Sequence, residues 1–566
     1  MIIIRDKKMR NITQYFDKGC SIWLNNFKYG DAGYVCGWAI CVGTKHYKGI
    51  TIDELETTLQ EIKKEYNLKT YSENKKDVMV IYCDNLLKIY GFLRRIITSV
   101  FPKDNLNNLK SITVYDNIEF RDISVWNDEI HKPVEIAEYA QFLIDKVFQN
   151  KHDKYFYYSP QQESRRLLKK YVGKDTTAKE LFPKSFCEYK YYKAAVYGGV
   201  NFAKKGLYED YLKFDICSAY IYHMLIKKHW MSEAMTLPNP EKFESYLNKP
   251  FLGLFKITYD NLMEGIQCYK DIDDHDIPSE GTIKILLTNK DLMNFQKLAN
   301  VKEIKCFSIE TYTQDYLPKC NQEFLIDMFL DKQTYKHGDQ RLYKIIKMML
   351  NSAGYGDTIP NLERGLAYKQ HRDKSTTIPQ WGIETLASCK DQIFTIGLAV
   401  DDWIYTATDS IICKNTPKNI ALINEYNTIV QGEVKDFCDK FGYDFEKLKR
   451  LGTFELEDKI ELIKVNGHNQ YCYKPYDDDN ITVKASGCNL EKVKKDMSFF
   501  KMDKFPVGKR IFYSLPEETT TITINDITLT SYGSYYEHEE KDEEAEKMTK
   551  AIMYYNILKK LQNEQK

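Results

Sequence analysis

Asp215 closes an apolar run, Lys213-Phe-Asp-Ile-Cys-Ser-Ala-Tyr220-Ile-Tyr222, and a carboxylate delivered at a strand end before a sharp turn suits a two-metal phosphoryl-transfer site. Such a site needs a second carboxylate. Asp409 is the candidate: in Trp403-Ile-Tyr-Thr-Ala-Thr-Asp-Ser-Ile-Ile-Cys413, apolar residues flank a short polar centre, which predicts a β-hairpin with Thr408, Asp409 and Ser410 near its tip. Neighbouring strands can join carboxylates that lie 409 − 215 = 194 residues apart. Between them, the segment from Arg341 to Gly356 carries Lys344, Lys347, Asn351 and Tyr355 at spacings of three and four, which predicts a helix face of cations, an amide and an aromatic ring. That face can meet a triphosphate and a base.

The elements that must hold these residues belong to a chain of 566 residues, too long for one ordinary core and long enough for several subdomains. Hydrophobic residues at 43% and charged residues at 29% are values for a folded, soluble protein. The balance of 81 basic and 81 acidic residues gives no global signature of nucleic-acid binding. Charge is uneven, however: Glu537 to Lys547 holds seven acids and two bases, and Arg165, Arg166, Lys169, Lys170 and Lys174 form a local basic cluster able to track phosphates. The fourteen cysteines show no Cys-x-x-Cys pairs or His partners, which argues against zinc and against a disulfide framework and points to a reducing, cytoplasmic compartment. No apolar run approaches a membrane span, and the first residues lack a signal-peptide layout.

Residues 1–155 read as a small α/β domain with strands at Ser21 to Leu24, Tyr34 to Val42, Val78 to Cys83 and Ile112 to Tyr115. Ser159-Pro-Gln-Gln-Glu163 reads as a helix start, with Ser as N-cap and Pro in the first turn. At the other end, Met548, Ile552, Tyr555, Leu558 and Leu561 recur at helical spacing and predict an amphipathic helix.

Taken in order, Asp215-x-x-Ser-x-Tyr220, Lys347-x-x-x-Asn-Ser-x-x-Tyr-Gly356 and Tyr405-x-x-Thr-Asp-Ser410 resemble the three polymerisation motifs of family B DNA polymerases, and the rest of the chain resembles their protein-primed branch from phages and linear elements. The resemblance implies an α/β multidomain, right-hand polymerase of palm, fingers and thumb behind an N-terminal exonuclease-like domain of RNase H type. It implies catalysis by Asp215, Asp409 and Lys347, with Asp215, Asp409 and the Ile216 carbonyl on Mg²⁺, or alternatively Mn²⁺. Tyr220, Lys347, Asn351 and Tyr355 would bind the deoxynucleotide, with Tyr220 excluding a 2′-hydroxyl. Tyr197, Gly198, Gly199, Ser410, Tyr471 and Lys484 would bind DNA, the glycines by allowing close backbone approach to the template. Implied partners are DNA template and primer, deoxynucleoside triphosphates and a terminal priming protein.

The implied organisation is an exonuclease-like domain at 1–155, a linker helix and first part of the palm at 156–229, and an insertion resembling the priming-protein subdomain at 230–330. Fingers at 331–356, a second short insertion at 357–385, the rest of the palm at 386–455, a thumb at 456–533 and an acidic segment with a terminal helix at 534–566 complete it.

Several positions depart from the pattern. Trp23, Asn25 and Tyr90 fall where the exonuclease needs acids, and Ile136-Ala-Glu-Tyr-Ala140 replaces its third motif, so proofreading is expected to be absent. Asp84, Asp116 and Asp145 lie nearby as an alternative set. In the polymerase part, Ala407 replaces an Asp of the hairpin motif, Asn469 replaces the Lys of Lys-x-Tyr471, and the segment after Asn351 is one residue longer than the family's. Loss of an acid beside divalent ions should weaken metal binding. Two other readings stay open: a catalytically silent DNA- or protein-binding scaffold derived from a polymerase, and a template-independent nucleotidyltransferase.

Overall fold

A computed structural model describes most of residues 12–148 with short gaps, then 159–485 apart from 361, 363–364 and 373, and beyond that 497–500, 508–511, 518–524, 527–533 and 545–548. The chain divides into two compact units, one of residues 1–162, 509–539 and 546–566, the other of residues 163–508 and 540–545.

The first unit is built on a mixed sheet. Strand Cys20–Tyr29 pairs antiparallel with Ala32–Val42 and parallel with Lys75–Cys83, which in turn pairs parallel with Ile118–Asp122. Parallel neighbours need a crossover, and helix Ile52–Glu65 supplies it. Thr51 and Glu54 close a capping box at its start, and Leu55, Leu59 and Ile62, spaced four and three apart, bury its inner face against the sheet. The expected strands all form, some longer than the apolar runs alone suggested. Trp23 is half-buried opposite Ala39, Tyr90 is core, and Tyr139 donates its hydroxyl to the Trp126 carbonyl. Asp145 is exposed and accepts a hydrogen bond from Gln141 at 3.0 Å, whereas Asp84, Asp116 and the side chain of Asn25 lie outside the described residues.

The second unit has an eight-stranded sheet in the order Ile266–Gln267, Val200–Ala203, Trp403–Thr408, Ser410–Lys414, Gly206–Ile216, Phe454–Gly467, Gln470–Pro475 and Thr482–Ala485, every neighbour antiparallel. Helix Pro379–Gly397 is buried almost throughout, and its Cys389, Ile393, Phe394 and Ile396 share a core with Phe202, Phe214, Trp403 and Ile411 of the sheet. A smaller core forms around Tyr405, Ile412, Ile460, Ile463 and Tyr471.

A separate sheet of Met235–Thr236, Asn300–Thr311, Phe251–Asp260 and Gly281–Thr288, with helix Asn289–Leu298 against it, fills most of the expected insertion. Its inner residues Phe255, Ile257, Ile285, Leu287 and Phe295 belong to the same core as the eight-stranded sheet, so the segment is integral and not appended. Its expected end at 330 falls within helix Lys319–Tyr335, which packs along helix Gln340–Ala353. The expected boundaries at 385 and 455 likewise fall inside helix Pro379–Gly397 and strand Phe454–Gly467. Of the expected terminal helix only Met548 is described, and it ends strand Ala545–Met548, whose backbone pairs with Gly508–Ile511; the other positions lie outside the described residues. No described helix is long and apolar enough to cross a membrane.

Candidate active site

Strand Gly206–Ile216 ends on Asp215 and Ile216, and the hairpin of Trp403–Thr408 and Ser410–Lys414 turns at Asp409. Asp215 lies directly opposite Ser410 in the ladder, and the Ile216 N–H donates to the Asp409 carbonyl at 2.9 Å. The two candidate carboxylates are thus carried at the same end of neighbouring central strands. Both turns are held in conformations that L-residues rarely adopt: Ser218 has φ +54° and Thr408 has φ +64°. For β-branched Thr408 this is a true outlier, and strain of this kind collects at functional sites. The Asp409 N–H closes the turn on the Ala407 carbonyl at 2.8 Å, and the Ser410 hydroxyl donates to the same carbonyl at 3.3 Å.

Glycines make these turns fit. A Cβ on Gly199 would lie 2.8 Å from Thr408 Cγ2, so Gly199 lets the Val200–Ala203 strand approach the hairpin, a protein reason for this glycine beside the expected template. Gly198 has open space at its Cβ position. Gly452, at φ +79°, lies under the Tyr222 ring, where a Cβ would come within 2.3 Å of ring carbons, and its N–H donates to the Cys217 carbonyl at 2.9 Å. The chain after Asp215 is therefore gripped from two sides.

Electrostatics mark the pair. Burial, and then the charges of Asp409 and Glu457, push Asp215 up to about 7. Burial also raises Asp409, against the opposing pull of Lys347. Lys347 sits exposed on helix Gln340–Ala353 and draws both carboxylates toward the charged form. Lys332, on the preceding helix, donates to the Ser218 hydroxyl at 2.6 Å, and burial lowers its pKa.

A cavity of about 390 Å³ opens at this place, lined by Lys213, Asp215, Tyr405, Ala407, Ser410, Glu457, Asn469, Tyr471 and Lys484. It gathers Asp215, Ser410, Tyr471 and Lys484 from the expected set. Glu457 was not foreseen. It is the unpaired residue of a β-bulge, since Lys213 pairs with Asp458 and Phe214 with Leu456, and it forms a 2.6 Å ion pair with Lys213. Lys484 stands opposite Tyr471 in the ladder, so a cation borders the cavity although Asn469 has replaced the expected lysine. The Tyr405 hydroxyl accepts the Asn469 N–H at 3.1 Å, and the Tyr405 and Tyr471 rings lie 4.5 Å apart.

Tyr220 and Tyr355 stack face to face, with centroids 4.4 Å apart and planes 8° from parallel. The helix carrying Lys347 ends at Ala353 with Gly354 as its cap, so Tyr355 lies past the helix end and not on the expected helix face, and there its ring meets Tyr220. Asn351 is exposed one helical turn after Lys347. Tyr197 stands apart from the cavity: it is buried, its hydroxyl donates to the Leu286 carbonyl at 2.6 Å, and its ring lies 5.2 Å from the Lys390 ammonium. It pins the four-stranded sheet to the buried helix and presents no surface to a template.

The donor set suits a divalent cation. Two carboxylates raised by burial, with the Glu457 charge adding to both, gain most from a hard positive ion. Three ligand groups come within 4.8 Å of one another, among the described residues, only at Asp271, Asp273 and His275. That trio sits on an exposed loop, and Asp271 already accepts the Asp273 and His275 backbone N–H groups, each at 2.9 Å.

No family model and no curated protein matches the chain. Among solved structures, phi29 DNA polymerase complexed with single-stranded DNA is similar at a TM-score of 0.62 and 14% identity, covering 92% of this chain and 100% of that one. The same polymerase with primer-template DNA and incoming nucleotides gives a TM-score of 0.59 at 14% identity, with the same coverage. The fold is accordingly mixed α/β and multidomain, of the type formed by a right-hand polymerase with an exonuclease-like domain.

Proposed function

We propose that this chain is a DNA-directed DNA polymerase that adds deoxynucleotides to a primer 3′-hydroxyl and lacks proofreading. One observation carries the reading: Asp215 and Asp409 occupy adjacent strand ends with a backbone bond between them, inside a fold similar to phi29 DNA polymerase. Asp215, Asp409 and the Ile216 carbonyl are assigned to hold Mg²⁺ or Mn²⁺. Two such ions, when bound, would ease deprotonation of the primer hydroxyl and neutralise the triphosphate. Lys347 places a cation where charge builds on the leaving group. Tyr220 and Tyr355 supply a flat wall for the nucleotide, and Asn351 an amide beside it. Tyr471 and Lys484 would steady the primer end, Ser410 shapes the turn beneath it, and Gly198 and Gly199 lie on the template side. Trp23, Asn25 and Tyr90 in place of acids support the loss of the exonuclease, and the resemblance of residues 230–330 supports a protein primer as the starting substrate.

The silent-scaffold reading drew on Ala407, Asn469, the extra residue after Asn351 and the first domain's missing acids, and the structure bears on the first two. Glu457 and Lys484 weaken it, because an acid and a cation from neighbouring strands border the cavity beside those two positions. The test is extension of a 5′-labelled primer on a defined template with Mg²⁺ and then Mn²⁺, beside Asp409→Asn protein. Template-directed extension that vanishes in the variant, with no primer shortening when nucleotides are withheld, is the expected result. Binding without extension under either metal would transfer the chain to the scaffold class, and extension without a template to the template-independent transferases.

A further inference from the structure

The outer face of the four-stranded sheet carries a charge pattern that the polymerase cavity does not use. Lys256 on strand Phe251–Asp260 stands directly opposite Lys284 on one neighbouring strand and Lys305 on the other. Three exposed lysines therefore cross three adjacent strands in one row, with strands about 4.8 Å apart. Like charges placed opposite one another weaken a sheet, so the row works against folding unless something anionic uses it. None of the three forms an ion pair with a described residue. Of the nearby acids, Asp260 is held by Lys302 at 3.0 Å; in the loop whose Ile272 N–H donates to the Lys284 carbonyl, Asp274 is held by Lys270 at 2.8 Å and Asp271 by the Asp273 and His275 N–H groups; and exposed Glu303 lies opposite Thr258, one pair along the same face.

An aromatic ring joins the lysines. Leu254 pairs with Ser308 and Phe255 with Cys306, so Phe307 is the extra residue of a β-bulge. Its side chain is 43% exposed, with Lys284 Nζ 5.8 Å and Lys305 Nζ 5.4 Å from the ring centroid. The core needs no further residue here, since Phe255, Ile257, Ile283, Ile285, Cys306 and Ile309 already fill the opposite face. A bulge that turns a phenylalanine outward among unpaired cations is a re-aimed side chain and not a packing one.

We propose that this face binds single-stranded nucleic acid, with Lys256, Lys284 and Lys305 against successive phosphates and the Phe307 ring against a base. Uncompensated cations in a line match a regularly charged polymer, and an exposed ring among them is what base stacking requires. An acidic protein would satisfy the lysines but would not use the exposed part of the ring, which already meets Lys284 and Lys305. The choice of nucleic acid also rests on the polymerase reading, but the test below measures binding and not synthesis.

The test is anisotropy of labelled oligo(dT) with the full chain across a salt series, comparing wild type with K256Q/K284Q/K305Q and, separately, with Phe307→Ala. Each single-strand phosphate contact adds about 0.7 to the slope of log K against log salt, so the triple variant should lose about 2 from that slope. Phe307→Ala should weaken binding about 5-fold or more at unchanged slope. An unchanged slope in a triple variant that melts normally overturns the proposal. Should the triple variant fail to fold, Lys256→Thr removes only the central charge: a slope loss of about 0.7 with an equal or higher melting midpoint supports the face, and no loss overturns it. Wild type that binds oligo(dT) with the expected slope difference yet extends no primer would sink the polymerase reading and leave this one standing.

Discussion

The Ile216 N–H donates to the Asp409 carbonyl at 2.9 Å, so the segments bearing Asp215 and Asp409 are joined through main chain alone. Neither carboxylate is needed for that bond. Burial raises both, and each is therefore a charge the fold carries at a cost. Asp409→Asn and Asp215→Asn should melt at or above the wild-type midpoint while single-nucleotide incorporation falls at least about 1000-fold. A variant within about tenfold of wild type in single-turnover assays would remove that residue from the metal pair.

Ala407 borders the same cavity as Asp215 and Glu457. Restoring an acid there, by Ala407→Asp, adds negative charge beside carboxylates that burial already raises. The half-saturating Mg²⁺ concentration should fall several-fold, with a lower melting midpoint in chelator as the counterpart. Glu457→Gln should raise the half-saturating Mg²⁺ concentration instead, and because it strips the buried Lys213 ammonium of its 2.6 Å partner its melting midpoint in chelator should fall as well. Titration of extension rate against free Mg²⁺ measures the first and calorimetry in chelator the second; no shift in either variant would dissociate the cavity from the metal.

Much of this site was legible because its signals are local. The apolar run ending at Asp215, the polar tip at Thr408 to Ser410 and the three-and-four spacing through Lys347 each encode one element, and each element formed. Glu457 was not legible, because its place in the cavity comes from a one-residue bulge against Lys213 and Phe214, a register that belongs to two strands at once. Lys332 fell in the expected fingers with no role assigned, and its helix, which starts at Lys319 inside the expected insertion, brings it to Ser218. Tyr197 looked like a template contact from its Gly-Gly neighbours, but the Leu286 carbonyl and Lys390 that claim it lie 89 and 193 residues onward (286 − 197, 390 − 197). Tertiary partners, not propensity, decided those three.

The Tyr220 and Tyr355 rings stack at 4.4 Å, so each covers one face of the other. On the proposed reading, shortening Tyr220 removes the wall under the sugar and leaves in place Tyr355, which lies just past the end of helix Gln340–Ala353. Tyr220→Val should therefore lower discrimination against ribonucleotides at least about 10-fold in the ratio of kcat/KM values, while Tyr220→Phe should keep it. Equal discrimination in wild type and Tyr220→Val would assign sugar selection elsewhere.

Glu384 gives a stability prediction independent of catalysis. It is fully buried on helix Pro379–Gly397, accepting the Tyr312 hydroxyl on one oxygen and Gln314 Nε2 at 3.1 Å on the other, so it ties that helix to the strand and loop after residue 311. Burial pushes it up to about 7, with Lys290 pulling down and Asp291 adding to the rise. The unfolded chain releases this proton near 4.5, whereas the folded chain keeps it until about 7. Stability from this group is therefore complete below about pH 4.5 and is lost as pH rises to 7, by up to roughly 3 kcal/mol. Asp215 contributes in the same sense, and it is common to wild type and variant. Glu384→Gln keeps an oxygen for Tyr312, and a turned Gln314 amide can meet the new NH₂ group. The variant should match wild type in urea unfolding at pH 5 to within about 1 kcal/mol and exceed it at pH 8. If the two proteins lose stability in parallel between those values, the Glu384 carboxyl is ionised in the fold and its environment is more polar than its burial implies.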